Sequence, residues 1–311
     1  MAATTCRPHA GYTSMTAITT VLLVLGAAPG LLITTEELAQ ARDVDIVDTR
    51  DVEAYAAGHI PGAVNVPSGE LSATRNGVPG MLRPADALAP LLASHGLAPE
   101  SPVVVYAGMF DASELKHATR VLWALEYLGF QHVRLLDGGL SKWQAEDREV
   151  AVGPGPALAA AEVTWYLQPD GALLAERRAV HNAVQTGEAV LVDMRSAEQY
   201  SGLSQSDKVE RAGHIPGAVN VPAGDLLEGP HNTFKDPAAL ATLFAEAGAR
   251  PDAPAIAYCN TGRDATTGYV ALKLLDRKLL DRKLLDRPVR VYDGSMAEWS
   301  RQRSLQPTAG R

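Results

Sequence analysis

The sequence predicts an α/β fold that is built twice, and two observations support this prediction. The segment AGHIPGAVNVP occurs at residues 57–67 and again, unchanged, at residues 212–222, which indicates an internal duplication. In both halves short β-branched runs alternate with helical patterns, as in parallel strands joined by helical crossovers. A chain of 311 residues is long enough for two domains of ordinary size. We therefore expect two domains, each with a central parallel sheet flanked by helices.

The expected strands are nearly all apolar, which is typical of strands that helices cover on both faces. In the first half they comprise Asp45–Asp48, residues 63–66, Val103–Tyr106 and Val133–Leu136. In the second half they comprise Val190–Asp193, residues 218–221, Ala255–Tyr258 and Val289–Tyr292. Helical patterns occupy residues 35–41, 113–128, 172–186 and 237–247, and a further helix is expected directly after Cys259.

Other repeated motifs set the expected domain boundaries. VDTR at residues 47–50 matches VDMR at residues 192–195, and LLDGGLSKW matches VYDGSMAEW near the end of each half. The segment AVGPGPALAA between the halves is rich in Gly and Pro and nearly uncharged, which is typical of a linker. The expected divisions are an N-terminal extension at residues 1–30, a first domain at 31–150, a linker at 151–160, a second domain at 161–306 and a tail at 307–311.

Two insertions distinguish the second half from the first. The polar segment GLSQSDKVER at residues 202–211 predicts a surface loop. Residues 273–287 contain KLLDR three times in succession. A five-residue period turns about 140° per copy on an α-helix, so the leucines wind around the helix and form no single stripe. We interpret this array as an expansion of a surface helix, and a partner-binding helix is the alternative.

Composition excludes several classes of function. The net charge is −8 and no run of Lys or Arg stands out, which argues against nucleic acid or an anionic membrane as the main partner. The two cysteines, Cys6 and Cys259, lie in the N-terminal extension and the second half, so we expect no disulfide. The sequence has no CxxC pair and no His cluster, so we expect no metal and no cofactor. We interpret Cys6 as a bystander.

The N-terminal extension contains an apolar run at residues 17–28. This run is too short to span a bilayer comfortably and has the length of a signal-peptide core, which favours an exported or periplasmic protein. Pro29 directly follows the small residues at which cleavage would occur and should hinder it. The alternative is a cytoplasmic protein that starts at Met15.

The two halves differ at the residue that follows one of the expected strands. VVVYAG in the first half places Ala107 after the tyrosine, whereas AIAYCN in the second half places Cys259 there. Two copies of one domain with one such cysteine between them predict a nucleophilic site in the second half. The first half is then a copy without a nucleophile.

The residues that follow Cys259 favour this interpretation. A strand, a short loop with Gly262 and a helix N-terminus form a cradle of backbone N–H groups, to which the helix dipole adds positive potential. We expect the thiol of Cys259 to ionise below its usual pKa in such a cradle. Gly262 allows the loop to close, Arg263 adds a cation, and Asp264 partly cancels that charge. The alternative is a buried, inert cysteine at a strand end.

These motifs resemble those of the tandem-domain rhodaneses, which are the thiosulfate and 3-mercaptopyruvate sulfurtransferases. The resemblance rests on the VDxR strand, the GHIPGAxNxP segment in each half, a cysteine after a strand of the second half, and a final DGSxxEW. It covers roughly Leu31 to Leu305. The resemblance implies two α/β domains with the active loop facing the cleft between them. It also implies a double displacement, in which Cys259 takes a sulfur atom from a donor and passes it to cyanide or a thiol.

The resemblance implies substrate contacts from the active loop, CNTGRD, through the N–H groups of residues Asn260 to Asp264. This loop matches neither type fully, because Thr261 and Gly262 resemble the mercaptopyruvate type and the cation of Arg263 resembles the thiosulfate type. A second arginine that both types usually carry is replaced by Gln199. Donor binding is therefore expected mainly from Arg263 and the loop amides.

Several polar residues occur at matching positions in both halves and are expected to be structural. Asp48 and Asp193 end equivalent strands, and His59 and His214 lie in the identical segments, although only one half has the cysteine. Arg195 also has a counterpart in the first half, so it is either a substrate ligand or the partner in an ion pair.

We therefore expect a monomeric thiosulfate sulfurtransferase whose partners are a small sulfur donor and a cyanide or thiol acceptor. A 3-mercaptopyruvate sulfurtransferase is the first alternative. A cysteine-dependent phosphatase is disfavoured because Ala265 stands where such enzymes place an arginine, six residues past the cysteine. A non-catalytic binding module is the remaining alternative, and the first half alone fits that description.

Overall fold

The computed structural model describes residues 30–156, 163, 165–250, 253–278, 289–302 and 305. Each half contains a five-stranded parallel sheet, with the order β1-β7-β6-β2-β3 in the first half and β8-β14-β13-β9-β10 in the second. The two orders are equivalent, strand for strand. The strands are β1 (Leu32–Ile33), β2 (Asp45–Asp48), β3 (Val64–Asn65), β4 (Ser72–Arg75), β5 (Val78–Leu82), β6 (Val103–Tyr106), β7 (Val133–Leu136), β8 (Leu174–Ala175), β9 (Val190–Asp193), β10 (Val219–Asn220), β11 (Leu227–Glu228), β12 (Thr233–Phe234), β13 (Ala255–Tyr258) and β14 (Val289–Tyr292).

Helices connect these strands, and polar side chains begin several of them. Thr34 and Glu37 form a reciprocal capping box at the first helix, and Asp236 accepts two backbone N–H groups ahead of Pro237. The helices are α1 (Thr35–Gln40), α2 (Val52–Ala57), α3 (Ala85–Ser94), α4 (Leu115–Tyr127), α5 (Gly139–Ala145), α6 (Arg177–Thr186), α7 (Ala197–Ser201), α8 (Pro237–Glu246), α9 (Arg263–Lys278) and α10 (Ser295–Trp299).

The structure confirms the eight expected strands, six of them with the expected bounds, while β3 and β10 are shorter. The expected helix at residues 172–186 is wrong in its first part. Leu174 and Ala175 instead pair with Val291 and Tyr292 as the edge strand β8, and the helix begins at Arg177. The backbone N–H and C=O groups of these residues form hydrogen bonds with the neighbouring strand, and local helical periodicity does not reveal this partner.

A single hydrophobic cluster joins the two halves through α4 and α9. Leu122 and Trp123 on α4, and Tyr269 and Val270 on α9, are completely buried within it. Between the same helices the hydroxyl of Thr119 contacts the hydroxyls of Thr266 at 2.9 Å and Thr267 at 3.1 Å. The halves therefore share their core and do not pack as separate bodies.

The interface is isologous, which means that equivalent residues exchange equivalent contacts. The backbone N–H of Leu82 in β5 donates to Asp293 at 2.8 Å, and that of Phe234 in β12 donates to Asp137 at 3.1 Å. β5 and β12 belong to equivalent antiparallel hairpins, β4–β5 and β11–β12. An approximate two-fold axis therefore relates the halves and passes near the threonine hydroxyls of α4 and α9.

The remaining predicted segments are described in part. The expected surface loop at residues 202–211 is a connection without strands, although Val209 within it is buried. The first described residues of the linker stay with the first half, because Ala151 exchanges two backbone hydrogen bonds with His59, both 2.9 Å. Residues 157–162, most of the KLLDR array, Cys6, the apolar run at 17–28 and the tail lie outside the described residues. Within the described ranges, no helix has the length and apolarity needed to cross a membrane.

Candidate functional site

The candidate site lies where the second sheet reverses its strand order. From β9 the chain moves to the neighbouring β10, whereas from β13 it moves in the opposite direction to β14. Ligands of open α/β sheets bind outside the carboxyl ends of the strands at such a switch point. A cavity of about 430 Å³ opens there between residues that follow β9 and β13 and the start of α4 in the first half. Its lining includes Ser113, Lys116, Arg195, Gln199, Asn260 and Asp264.

Cys259 directly follows β13 and is completely buried. Its backbone N–H donates to the hydroxyl of Ser295 at 3.1 Å, and its carbonyl accepts the N–H of Met296 at 3.0 Å. The carbonyl of Asn260 accepts the N–H of Ala297 at 2.9 Å. The DGS segment at the start of α10 therefore fixes the strand end that carries the cysteine.

The expected cradle of N–H groups surrounds the sulfur, but the expected low pKa of its thiol is wrong for the resting protein. Burial and the nearby carboxylate of Asp264 raise the pKa of Cys259 to about 11, although N–H groups of Ala265, Thr261 and Gly262 work to lower it. A thiolate without water around it loses its hydration, and three neutral donors do not offset that loss beside a negative charge. Cys259 is therefore a protonated thiol at neutral pH.

Gly262 is a position in the loop that no side chain can occupy without a shift of the backbone. Its φ angle is +79°, and a Cβ atom there would lie 2.6 Å from the carbonyl oxygen of Asp293. The neighbouring Thr261 is covered by the first half, since a Cβ on Gly80 of β5 would lie 2.9 Å from the Cβ of Thr261. The loop is therefore held between the DGS segment and the hairpin of the other half.

A buried ion pair across the interface also holds the loop. The guanidinium of Arg120 on α4 lies 2.7 Å from the carboxylate of Asp293, and both side chains are almost fully buried. Arg120 also donates to the carbonyl of Gly80 at 3.1 Å and to that of Gly262 at 3.4 Å. This role of Arg120 is not predicted from the sequence, where its one visible sign is a cation within the largely apolar helix LKHATRVLWALEY.

Arg195 forms a buried ion pair with Asp193. This is one of the two roles that the sequence left open for Arg195, the other being substrate binding. Its Nε lies 2.9 Å and its terminal nitrogen 2.6 Å from the two carboxylate oxygens, and the same nitrogen donates to the carbonyl of Gly213 at 2.9 Å. Arg50 pairs with Asp48 in the same way in the first half. One edge of Arg195 still lines the cavity, so its role as a substrate ligand stays a prediction.

The histidines of the repeated segments pack as expected. His59 stacks on Tyr55 with ring centroids 3.9 Å apart, and His214 stacks on Tyr200 at 3.8 Å. The Nδ1 atom of each histidine lies within hydrogen-bond distance of the carbonyl of the same tyrosine. Both pairs are buried or half-buried at matching positions, which confirms the expected packing role.

Gln199 and Arg263 have neighbours that the sequence does not reveal, and the role of Arg263 in donor binding stays a prediction. The amide of Asn260 donates to the side-chain oxygen of Gln199 at 2.9 Å, so Gln199 supports the active loop. Arg263 begins α9 and is absent from the lining of the cavity. It faces His117 of the first half, whose pKa is lowered first by burial and then by the charges of Lys116 and Arg263.

The comparison with known families decides the classification. A rhodanese-like domain model matches residues 34–146 and residues 176–302. The chain belongs to the rhodanese family. This finding confirms the resemblance inferred from the motifs and the expected fold of two rhodanese-like α/β domains.

Relatives of this rhodanese include sulfurtransferases. A thiosulfate sulfurtransferase of Corynebacterium glutamicum is 33% identical over 265 residues, covering 82% of this chain and 81% of the relative. One from Azotobacter vinelandii is 29% identical over 260 residues, covering 83% and 89%. SseA of Escherichia coli, described as a 3-mercaptopyruvate sulfotransferase, has a TM-score of 0.73 and 26% identity, covering 86% of this chain and 99% of SseA. The anaerobic ergothioneine biosynthesis enzyme of Chlorobium limicola shares the fold, with a TM-score of 0.79, 21% identity, and coverage of 90% and 70%.

The first rhodanese domain keeps the backbone of the site without its sulfur. The N–H of Leu140 donates to the carbonyl of Ala107 at 3.0 Å, which matches the bond from Met296 to Cys259. The N–H of Ser141 donates to the carbonyl of Gly108 at 2.8 Å, which matches the bond from Ala297 to Asn260. The inactivity of this first domain stays a prediction. In the part of the chain that the structure describes, no cluster of His, Cys, Asp and Glu could hold a metal ion.

Proposed function

We propose that this rhodanese is a thiosulfate sulfurtransferase that carries a sulfane sulfur on Cys259. The observation that carries the proposal is the position of this thiol. It is held in a cradle of N–H groups at the switch point of the sheet. The cationic side chains of Arg195 and Lys116 line the cavity beside it. N–H donors stabilise the extra negative charge of a persulfide, and cations attract the anionic donor.

The protonated thiol requires a base, and Asp264 is the nearest candidate. Its carboxylate contacts Cys259, and burial raises the pKa of Asp264 above its usual range, which favours its taking up a proton. Transfer of the thiol proton to Asp264 gives a thiolate beside a neutral carboxylic acid. The net charge of the site is unchanged, because the negative charge passes from the carboxylate to the sulfur.

The thiolate then attacks the outer sulfur of thiosulfate. The sulfur–sulfur bond of the donor breaks, its electron pair leaves on sulfite, and Cys259 becomes a persulfide anion. N–H groups of Thr261, Gly262 and Ala265 surround this anion, while Asn260 and Arg195 contact the donor from the cavity. Cyanide or a thiol attacks the terminal sulfur, and with cyanide the products are thiocyanate and the Cys259 thiolate, which regains its proton from Asp264. Ping-pong kinetics follow.

A 3-mercaptopyruvate sulfurtransferase is the second candidate. It is supported by Thr261 and Gly262 in the loop and by the similarity to SseA. Thiosulfate is favoured because two cations line the cavity, and a compact dianion gains more from them than a monoanion does.

The test compares kcat/KM for the two donors with cyanide as acceptor. We expect thiosulfate to be the better donor, and a much larger value for 3-mercaptopyruvate would reverse the choice. Mass spectrometry after incubation with the better donor should show an addition of about 32 mass units on Cys259. Cys259→Ser should abolish both the addition and the turnover, while Cys6→Ser, the matched control, should retain both. Full turnover by Cys259→Ser would assign the chemistry to another group, and no turnover by the unaltered protein with either donor would leave a binding module.

A further inference from the structure

Most of the cations near the sulfur are already engaged or lie outside the lining of the cavity. Arg195 is bonded to the carboxylate of Asp193, and Arg263 lies outside the lining of the cavity. Gln199 is neutral and supports Asn260. The second half therefore supplies little free positive charge for an anionic donor, and its own Asp264 repels one.

The first half supplies a free cation at the same cavity. Lys116 lies in the first turn of α4, is half-buried, and lines the cavity opposite Asn260 and Asp264. Within the described residues its ammonium has no ion pair and no hydrogen bond. Its charge acts on the site, since it is the largest influence that lowers the pKa of Asp264, although burial raises that pKa overall.

The two-fold relation between the halves explains why Lys116 faces the active loop. Lys116 and Asp264 lie in the first turns of the equivalent helices α4 and α9. Three residues further along each helix, Thr119 and Thr267 touch near the axis, with their hydroxyls 3.1 Å apart. Residues one helical turn before that contact lie on either side of one cleft. Lys116 and Asp264 therefore bring opposite charges to the two sides of one cavity.

We propose that Lys116, contributed by the domain without a nucleophile, is the principal cation that binds the sulfur donor, and that it selects for dianionic donors. The proposal rests on the proposed function and deepens it. The ammonium pairs with the outer oxygens of the donor while the sulfur to be transferred faces Cys259. The contact between Thr119 and Thr267 joins the two helices at this cavity, so the first half acts as part of the donor site.

The test uses two donors that differ in charge. Methanethiosulfonate carries one negative charge where thiosulfate carries two, and the reactive sulfur is the same. Because the attraction is proportional to the donor charge, Lys116→Met should lower kcat/KM about 30-fold for thiosulfate and only about 5-fold, near the square root, for methanethiosulfonate. The loss should fall mainly on KM. Lys116→Arg should recover most of it, and Lys142→Met, a half-buried lysine of the same half, should leave both values unchanged.

Several outcomes would overturn the proposal. An unchanged kcat/KM for Lys116→Met would remove Lys116 from donor binding, and an equal loss with both donors would indicate a structural role. If the unaltered protein turned over neither donor, the proposed function would fail. Lys116 would then be tested by calorimetry, in which thiosulfate is titrated into Cys259→Ser and into the double variant Cys259→Ser/Lys116→Met. Weaker binding to the double variant would support the role of Lys116 in donor binding, and equal binding to both proteins would refute it.

Discussion

Removal of the Arg120 guanidinium should destabilise the protein strongly. Arg120→Met keeps an unbranched side chain in α4 but leaves the Asp293 carboxylate buried, and among the described residues the N–H of Leu82, 2.8 Å away, remains as its hydrogen-bond donor. Loss of one partner of a fully buried pair costs about 3–5 kcal/mol, because an uncompensated charge stays in the interior. Arg120 also donates to the carbonyls of Gly80 and Gly262, so the active loop loses a support as well.

The assay is urea denaturation, which yields the free energy of unfolding. Arg148→Met is the matched control, since it breaks a partly exposed ion pair with Glu146 and should cost below about 1 kcal/mol. The double variant Arg120→Met/Asp293→Asn should recover part of the lost free energy of unfolding, because it no longer contains the unpaired buried charge. A loss for Arg120→Met no larger than for Arg148→Met would refute the reasoning that the pair stabilises the interface.

Two further variants test the loop itself. Asp264→Asn removes the charge that, after burial, most raises the pKa of Cys259, so the titration midpoint of the thiol should fall by about 1–2 pH units. Thiolate absorbance against pH, measured in the Cys6→Ser background where Cys259 is the sole thiol, would show this, and an unchanged or higher midpoint would contradict it. Gly262→Ala should lower kcat at least about tenfold, because its Cβ would lie 2.6 Å from the carbonyl of Asp293. Gly217→Ala is the control, because Gly217 also has a positive φ angle but has open space around it. It therefore reports the effect of backbone strain without a steric clash. Equal activity of the two variants would contradict the expected clash between residue 262 and Asp293.

The sequence predicts the central strands and the nucleophile because both depend on short, contiguous sequence patterns. Val103–Tyr106 and Ala255–Tyr258 are short apolar runs that are buried along their whole length, and the residue after each lies at the carboxyl edge of the sheet. The duplication then identifies Cys259 by contrast with Ala107. Edge strand β8 escapes prediction because it has two residues, and its pairing with β14 depends on a segment far along the chain.

The parts of the site that sequence reasoning misses come from contacts between the halves. Arg120 and Lys116 belong to the first half, yet they act on Gly262, Asp293 and Asp264 of the second. The error in the pKa of Cys259 has a similar origin. The loop motif shows the N–H donors, whereas the complete burial of the sulfur is a property of the assembled interface.

The equivalence of the strand ends at Ala107 and Cys259 has a further consequence. In a dimer of two identical chains, equivalent positions must carry the same residue, so a cysteine in one half would bring a cysteine to the other. One continuous polypeptide is free of that constraint. It can keep the thiol at one of the two strand ends and use the other half to cover the loop and line the cavity.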